Sequence, residues 1–222
     1  MEKSKFQRHP SKALNELYSK KNFQGANPSD AKILFVGRDP NWAADIDSKE
    51  MFSSVSEYLN DGVSFWKTNN IHHPFLLPGY KGDGKRYHSI FSKLKVESTY
   101  SDKISFIELL GFPTTGMAKT YNKIFLEFLI SDENRNHLYE LDKLMNDESK
   151  IIFIAWGLIE DFKIINNNNK ELFQKFANID KSQMNINDLN EFGNIFIHRH
   201  FSDAISNGTL EKMANKIKHI LQ

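Results

Sequence analysis

The sequence has no cysteine among its 222 residues. Disulfide bonds, iron–sulfur clusters and cysteine-ligated zinc sites all require this side chain, so the sequence excludes them. A cysteine nucleophile is excluded for the same reason. The chemistry of this chain therefore has to come from carboxylates, imidazoles, hydroxyls, amides and basic groups.

An excess of one charge and long apolar runs are also missing. The 29 Lys and Arg residues are balanced by 28 Asp and Glu, which gives a formal net charge of +1. A nucleic-acid site would therefore need a local basic patch. No apolar run approaches membrane-spanning length, and the first residues lack the apolar core of a signal peptide. We predict a cytoplasmic monomer that binds no membrane.

Four short apolar runs alternate with segments of helical periodicity. These runs are ILFV at 33–36, ISFIELL at 104–110, KIIFIAW at 150–156 and the segment from Asn194 to Ile197. The alternation predicts an α/β fold, a parallel sheet with helices on both faces. No domain boundary is visible, so residues 1–222 are predicted to form one domain. Residues 62–89, with four Gly and two Pro, are predicted to be irregular.

Polar residues follow three of the predicted strands. Asp39 lies in GRDPNW at 37–42, Glu108 lies in the second strand or at its end, and His198 and His200 belong to HRHFSD at 198–203. Ligands of open parallel sheets bind beyond the carboxyl ends of the strands. We therefore predict that these four side chains meet in one crevice.

Each of these residues also has a less specific explanation. Asp39, held by Pro40, suits a general base or a water-orienting group, and the alternative is an Asx-turn that caps a helix. His198 and His200 would face the same way if the strand continued, where they could stabilise an anion or transfer a proton; the alternative is a surface pair. The adjacent His72 and His73 suggest a metal site. The sequence has no HExxH-type spacing, the motif of zinc proteases, to support it.

Four motifs, in order, resemble those of the uracil-DNA glycosylase superfamily. KILFVGRDP at 32–40 resembles a strand ending in Gly-x-Asp-Pro, and GVSF at 62–65 resembles the segment whose phenylalanine stacks on the extruded base. IIFIAWG at 151–157 resembles a strand ending in Leu-Trp-Gly, and IFIHRHFSD at 195–203 resembles a strand ending in His-Pro-Ser. The match spans residues 30–205, and its specificity lies in the joint order of the motifs.

The resemblance implies a three-layer α/β/α domain with a central four-stranded parallel sheet, and hydrolysis of a flipped-out base from DNA without metal or cofactor. Asp39 would activate or orient water, and His198 would bind the base carbonyl. Phe65, or alternatively Phe52, would stack on the base. Residues implied around the base are Gly37, Arg38, Pro40, Asn41 and Glu108. The resemblance also implies that the segment after His198, with Arg199, His200 and Ser202, contacts double- or single-stranded DNA, and the basic loop residues Lys85 and Arg86 suit contacts to its phosphates.

Two departures from the superfamily motifs leave the identity of the excised base undetermined. Asn41-Trp42 stand where the uracil-specific branch has Tyr-His, and Glu108 stands near the position of an asparagine that reads the base edge. An ionised carboxylate only accepts hydrogen bonds, whereas a protonated one also donates. A glycosylase for uracil or another deaminated or modified base is the first hypothesis. The second is a protein of this fold that binds nucleic acid or a nucleotide without cleavage, and the third is a metal-assisted α/β hydrolase using His72, His73, His198 and Asp39.

Overall fold

The computed structural model describes residues 5–82 and 84–222, so Asp83 and residues 1–4 of the predicted domain lie outside the described residues. The strands are β1 Gln7–Arg8, β2 Phe23–Gly25, β3 Ile33–Gly37, β4 Ile104–Glu108, β5 Thr114–Thr115, β6 Ile151–Ala155, β7 Asn190–Phe192 and β8 Ile195–His198. The α-helices are α1 Lys12–Lys20, α2 Phe52–Asn60, α3 Gly62–Asn69, α4 Lys85–Phe91, α5 Asn122–Leu129, α6 Asp132–Asn146, α7 Leu158–Asn168, α8 Gln174–Ala177 and α9 Asn207–Leu221.

The central sheet has six strands in the order β2-β4-β3-β6-β8-β7. The four inner strands are parallel to one another, and β2 and β7 are antiparallel edge strands. A separate two-stranded sheet pairs β1 with β5. The four inner strands are those that the apolar runs predicted, and their parallel direction brings their carboxyl ends to one edge of the sheet.

Alternate residues of the inner strands enter two different hydrophobic cores. Leu34, Ile152 and Ile197 belong to the core that includes side chains of α5, α6, α7 and α8. Phe35, Phe106 and Phe153 belong to the core that includes side chains of α3, α4 and α9. Successive strand residues point to opposite faces, so both faces of this sheet are buried under helices. A third core, formed around Trp42, Tyr58 and Phe75, lies among α1, α2 and the loops.

The central sheet has six strands, so the prediction of a four-stranded sheet is wrong. Both edge strands have only three residues and carry Gly, Gln, Asn or Glu, so they lack the apolar runs by which the inner strands were recognised. The register pairs Phe192 with Ile195, which leaves Gly193-Asn194 as a two-residue hairpin loop. Glycine followed by asparagine between two strands is a hairpin signal, so the sequence carried the information for β7.

Helices α5 and α6 lie between β4 and β6, and α7 and α8 lie between β6 and β8, so helices alternate with the inner strands as predicted. Ser11 caps α1, because its hydroxyl accepts the Leu14 N–H. Gly62–Asn69, predicted to be irregular, is helix α3, and Asp61 caps it by accepting the Ser64 N–H at 2.9 Å. In the part of the chain that the structure describes, no helix has the length and apolar character needed to cross a membrane.

Candidate functional site

A cavity of about 250 Å³ lies at the carboxyl ends of β3 and β4. Gly37 and Glu108, the last residues of these strands, are paired in the register. The predicted site residues that line the cavity are Gly37, Arg38, Asp39, Pro40, Asn41, Glu108, His200 and Ser202. The remaining walls are mostly aromatic and imidazole rings. The cavity is smaller than the roughly 300–1,000 Å³ of sites for drug-sized ligands, and it suits one planar ring system.

The Asp39 carboxylate is oriented by side chains. Thr114 Oγ1 donates to Asp39 Oδ2 at 2.9 Å, and Asn41 Nδ2 donates to the same oxygen at 3.2 Å. Backbone bonds from Thr114 to Pro40 and from Trp42 to Thr114 hold the loop in place. These partners differ from the backbone N–H groups that an Asx-turn requires. Burial raises the pKa of Asp39, and its two hydrogen bonds oppose that rise.

The Glu108 carboxyl lies directly across Gly37. A Cβ added to Gly37 would come within 1.7 Å of Glu108 Oε2, so only glycine leaves room for this carboxyl. Burial raises the pKa of Glu108 to about 8, and the neighbouring Asp39 carboxylate adds to the rise. Glu108 is therefore largely protonated at pH 7. Its carboxyl has no hydrogen-bond partner among residues 5–82 and 84–222, so its O–H and C=O are both available to a ligand in the cavity.

His200 reaches the cavity and has a defined tautomer. Its Nδ1 accepts the backbone N–H of Ser202 at 3.1 Å, so the neutral ring carries its proton on Nε2. The Tyr87 ring lies 5.4 Å from the His200 ring. Partial burial lowers the pKa of His200, against the opposing effect of Asp203, so the neutral form is favoured. His200 thus offers a neutral N–H donor at the mouth of the cavity.

His198, in contrast, does not line the cavity. Its side chain is buried, its Nδ1–H donates to the Arg199 carbonyl at 2.7 Å, and its ring stacks on Phe201 at 4.7 Å. The predicted crevice therefore contains Asp39, Glu108 and His200, and the placement of His198 in it is wrong. β8 ends at His198, so the strand alternation that would align His198 with His200 does not extend to His200.

Phe75, rather than Phe65 or Phe52, is the phenylalanine that the loops bring to the cavity. Phe75 is buried and stacks in parallel on Tyr80, with ring centroids 4.3 Å apart. Gly84, at φ +84°, lies against the edge of the Phe75 ring, so an added Cβ would come within 2.7 Å of Phe75 Cε2. Only glycine combines that backbone conformation with that approach.

The predicted stacking roles of Phe65 and Phe52 are contradicted by their positions. Phe65 lies in α3, is 1% exposed, and packs edge-on against Tyr58 at 5.5 Å. Phe52 is the first residue of α2 and packs against the same core. Neither residue lines the cavity. The helix that forms around Phe65 turns its ring into the core, which the GVSF motif alone does not reveal.

Three histidines pack together beside Phe75. The His73 and His88 rings are stacked in parallel at 3.6 Å, and His72 Nε2 lies 3.0 Å from His88 Nδ1. Burial lowers the pKa of His88 to about 3 and lowers those of His72 and His73 well below their usual range. His73 and His88 line the cavity. Among the described residues, no group of three or more acidic or histidine side chains is placed to hold a metal ion.

A buried polar network supports the other wall of the cavity. Tyr58 donates to Gln24 Oε1 at 3.0 Å, and Gln24 Nε2 and Trp42 Nε1 donate to the Tyr18 hydroxyl at 3.1 and 2.9 Å. Gln24 and Trp42 line the cavity. Burial raises the pKa values of Tyr18 and Tyr58, so both hydroxyls stay neutral. The network fixes the Gln24 amide and the Trp42 ring.

The basic residues predicted to contact the base or DNA differ in their partners and in whether they line the cavity. Arg38 is engaged by Asp161 through two hydrogen bonds of 2.9 and 3.0 Å, and its guanidinium lies over Phe125, so it braces the loop before Asp39. Lys85 Nζ donates to the Tyr80 carbonyl. Arg86 is exposed and donates to the Asp203 carbonyl, close to His200 in the chain. Arg199 donates to Asn187 and does not line the cavity.

The sequence interpretation did not assign cavity roles to Gln24, His73, Phe75, Tyr87 and His88. Phe75 and Tyr87 lie in residues 62–89, which the sequence predicts to be irregular. His73 was considered only as a metal ligand. The segment His73-Pro74-Phe75 was the available signal, because proline fixes the backbone between a ring donor and an aromatic ring.

Comparisons with protein-family models, with curated proteins and with solved structures find no match to this chain. The functional argument therefore depends on the geometry of the cavity.

Proposed function

We propose that this protein is a DNA glycosylase that binds an extruded base in the cavity and hydrolyses its N-glycosidic bond without a metal. The observation that carries the proposal is the grouping of Asp39, Glu108 and His200 on one cavity of about 250 Å³ at the carboxyl ends of the parallel strands. A base in a duplex cannot be reached by such a recess, so the nucleotide has to rotate out of the stack.

Asp39 and His200 act on opposite parts of the reaction. The Asp39 carboxylate, oriented by Thr114 and Asn41, directs a water molecule to the sugar carbon. As the bond breaks, negative charge grows on the carbonyl oxygens of the leaving base. The Nε2–H of His200 donates a hydrogen bond to one of these oxygens and stabilises that charge. The neutral His200 ring can stabilise this charge by hydrogen bonding alone, because it does not need to transfer its proton to the base.

Glu108 reads the edge of the base in its neutral form. With a pKa of about 8, it offers one O–H donor and one C=O acceptor at pH 7. This pair matches a ring edge that presents a carbonyl next to an N–H. The glycosylase motif has an asparagine near the position of Glu108. A protonated carboxyl and an amide both offer a hydrogen-bond donor and an acceptor, so Glu108 is compatible with recognition of the base.

A second candidate function is nucleic-acid or nucleotide binding on the same fold without cleavage. Burial raises the pKa of Asp39, which works against the carboxylate form that water activation needs. The displacement of His198 from the cavity also departs from the assignment that the resemblance implied. Specific binding to DNA in the absence of base release would support this candidate.

The proposal is tested by base release from labelled oligonucleotides containing uracil, hypoxanthine, xanthine or hydroxymethyluracil, single- and double-stranded, with EDTA. Alkali then cleaves the abasic sites. Release of any of these bases in EDTA supports the glycosylase and excludes the metal-assisted hydrolase. Failure to release any base, with folded protein, contradicts the glycosylase.

Asp39→Asn is expected to lower base release by roughly 10²–10⁴-fold, the usual contribution of a positioned general base. The amide oxygen can still accept from Thr114 and Asn41, so the fold and DNA binding are retained. Asp47→Asn is the matched control, because Asp47 is exposed, close in the chain and outside the cavity. Equal activity of the Asp39 and Asp47 variants would show that Asp39 is not the base.

A further inference from the structure

His73 is almost completely buried, yet it lines the cavity. The residue is 2% exposed, and its ring is packed between Trp42, Tyr58, Phe75 and His88. Its Nδ1 accepts the backbone N–H of Phe75 at 3.1 Å. A neutral imidazole that accepts at Nδ1 carries its proton at Nε2. The cavity therefore has a second imidazole N–H besides that of His200.

The same local arrangement occurs at His9, where the position of the proton is decided by a partner. His9 Nδ1 accepts the Ser11 N–H at 3.1 Å, and His9 Nε2 lies 2.9 Å from the Ala43 carbonyl oxygen. A carbonyl oxygen can only accept, so His9 Nε2 must be the donor. His73 and His200 share the Nδ1 contact to the backbone two residues ahead, and the same tautomer follows for both.

His73 differs from His9 in that its donor has no acceptor. Within residues 5–82 and 84–222, no hydrogen-bond partner is recorded for His73 Nε2. Burial, with His88 and His72 next to it, lowers the pKa of His73 well below its usual value, so the ring stays neutral. Arg199 Nε is the one fully buried side-chain polar atom without a partner in residues 5–82 and 84–222, so His73 Nε2 is not sealed inside the protein. Because His73 lines the cavity, its N–H is open to the cavity, where a ligand atom can accept the hydrogen bond.

We propose that His73 is a specificity-determining residue of this site, whose Nε2–H donates to a carbonyl oxygen of the bound base while His200 donates to another. This inference rests on the proposed function. It predicts a preference for bases that carry two carbonyl oxygens. A base with an amine at the His73 position would place a donor against a donor.

Two substitutions separate the donor from the packing. In His73→Asn the side-chain oxygen can still accept the Phe75 N–H, as in an Asx-turn, but the Nε2–H is lost. In His73→Gln the longer amide can place an N–H close to the lost one. His9→Asn is the matched control, because it is the same substitution in the same local arrangement outside the cavity.

We expect His73→Asn to lower kcat/KM for base release roughly 10- to 100-fold, the usual range for loss of a donor to a partly charged oxygen, with most of the effect in kcat. His73→Gln should recover part of that loss. His9→Asn should lower the melting temperature, because it loses its bond to Ala43, and leave kcat/KM unchanged. Binding of the free base should also shift the imidazole Nε2–H resonance of His73 in the wild-type protein.

The outcomes distinguish this inference from the function on which it rests. If the wild type releases a base and His73→Asn releases it equally well, the role of His73 is wrong and the glycosylase stands. If the wild type releases no base but free uracil or xanthine shifts the His73 resonance, the glycosylase is wrong and the base contact stands. If there is neither release nor a shift, both are wrong.

Discussion

At the scale of single residues, the cavity is notable for groups that burial keeps uncharged. Glu108 is protonated at pH 7, and His73, His88 and His200 are unprotonated. For Glu108, His73 and His88, burial among aromatic and imidazole rings disfavours the charged form, because these rings do not solvate a charge. Asp39 is the remaining acidic group of the wall, and a neutral Glu108 avoids two adjacent negative charges.

Glu108→Gln tests this protonation state. The folded protein holds the Glu108 proton up to about pH 8, whereas the unfolded chain releases it near pH 4.5. The wild-type free energy of unfolding therefore falls as the pH rises between these values, and Asp39 acts in the same direction. The variant should equal the wild type in stability at pH 4 and exceed it by up to about 5 kcal/mol at pH 9. Denaturant unfolding at both values measures this.

The same variant has a predicted activity profile. Wild-type base release should decline above about pH 8, where Glu108 loses its O–H donor. The amide of Glu108→Gln keeps a donor at every pH, so this decline should disappear. A decline of equal size in both proteins would contradict the proposed reading of the base by a neutral Glu108.

At the scale of elements, the site is built by segments that follow strands and by the helices that pack behind them. The loop after β3 carries Asp39, the end of β4 carries Glu108, and the turn after β8 carries His200. Helix α3 supports this arrangement, since its Trp66 packs against the strand core and its Phe65 against the core around Tyr58. The helix has eight residues and begins at glycine, so its start depends on the Asp61 cap.

Asp61→Ala is expected to destabilise the protein by about 1 kcal/mol at pH 7, the usual cost of losing an N-cap. Hydrogen bonds from Ser64 lower the pKa of Asp61, so its contribution is present above the unfolded pKa and is lost as the pH falls through the folded one. Thermal unfolding at pH 7 and pH 3 should therefore show a smaller difference at pH 3. A difference that does not change with pH would mean that the carboxylate is not the cap.

At the scale of the whole molecule, the net charge of +1 provides no general attraction to DNA. Under the proposed function, DNA binding would then depend on the cations next to the cavity. Arg86 is exposed in α4, and it joins that helix to the turn that carries His200 through its bond to the Asp203 carbonyl. Under the proposed function, we expect its guanidinium to contact a phosphate next to the extruded nucleotide.

Arg86→Gln should weaken DNA binding and reduce the slope of log K against log salt by about 0.9 for duplex DNA, as expected for one lost phosphate contact. Lys32→Gln is the matched control, because Lys32 is exposed immediately before β3, at the opposite edge of the sheet. Fluorescence anisotropy with a labelled duplex at several salt concentrations measures both. Equal slopes for the two variants would place the DNA elsewhere.

The sequence by itself determined the four inner strands and the position of Asp39 and Glu108 at their carboxyl ends. Both follow from local patterns, since buried parallel strands are continuous apolar runs and parallel strands end at one edge. Only the tertiary structure decided between His198 and His200, and between Phe65 and Phe75. Those choices depend on where β8 ends and on how α3 turns, and the packing of distant segments sets both.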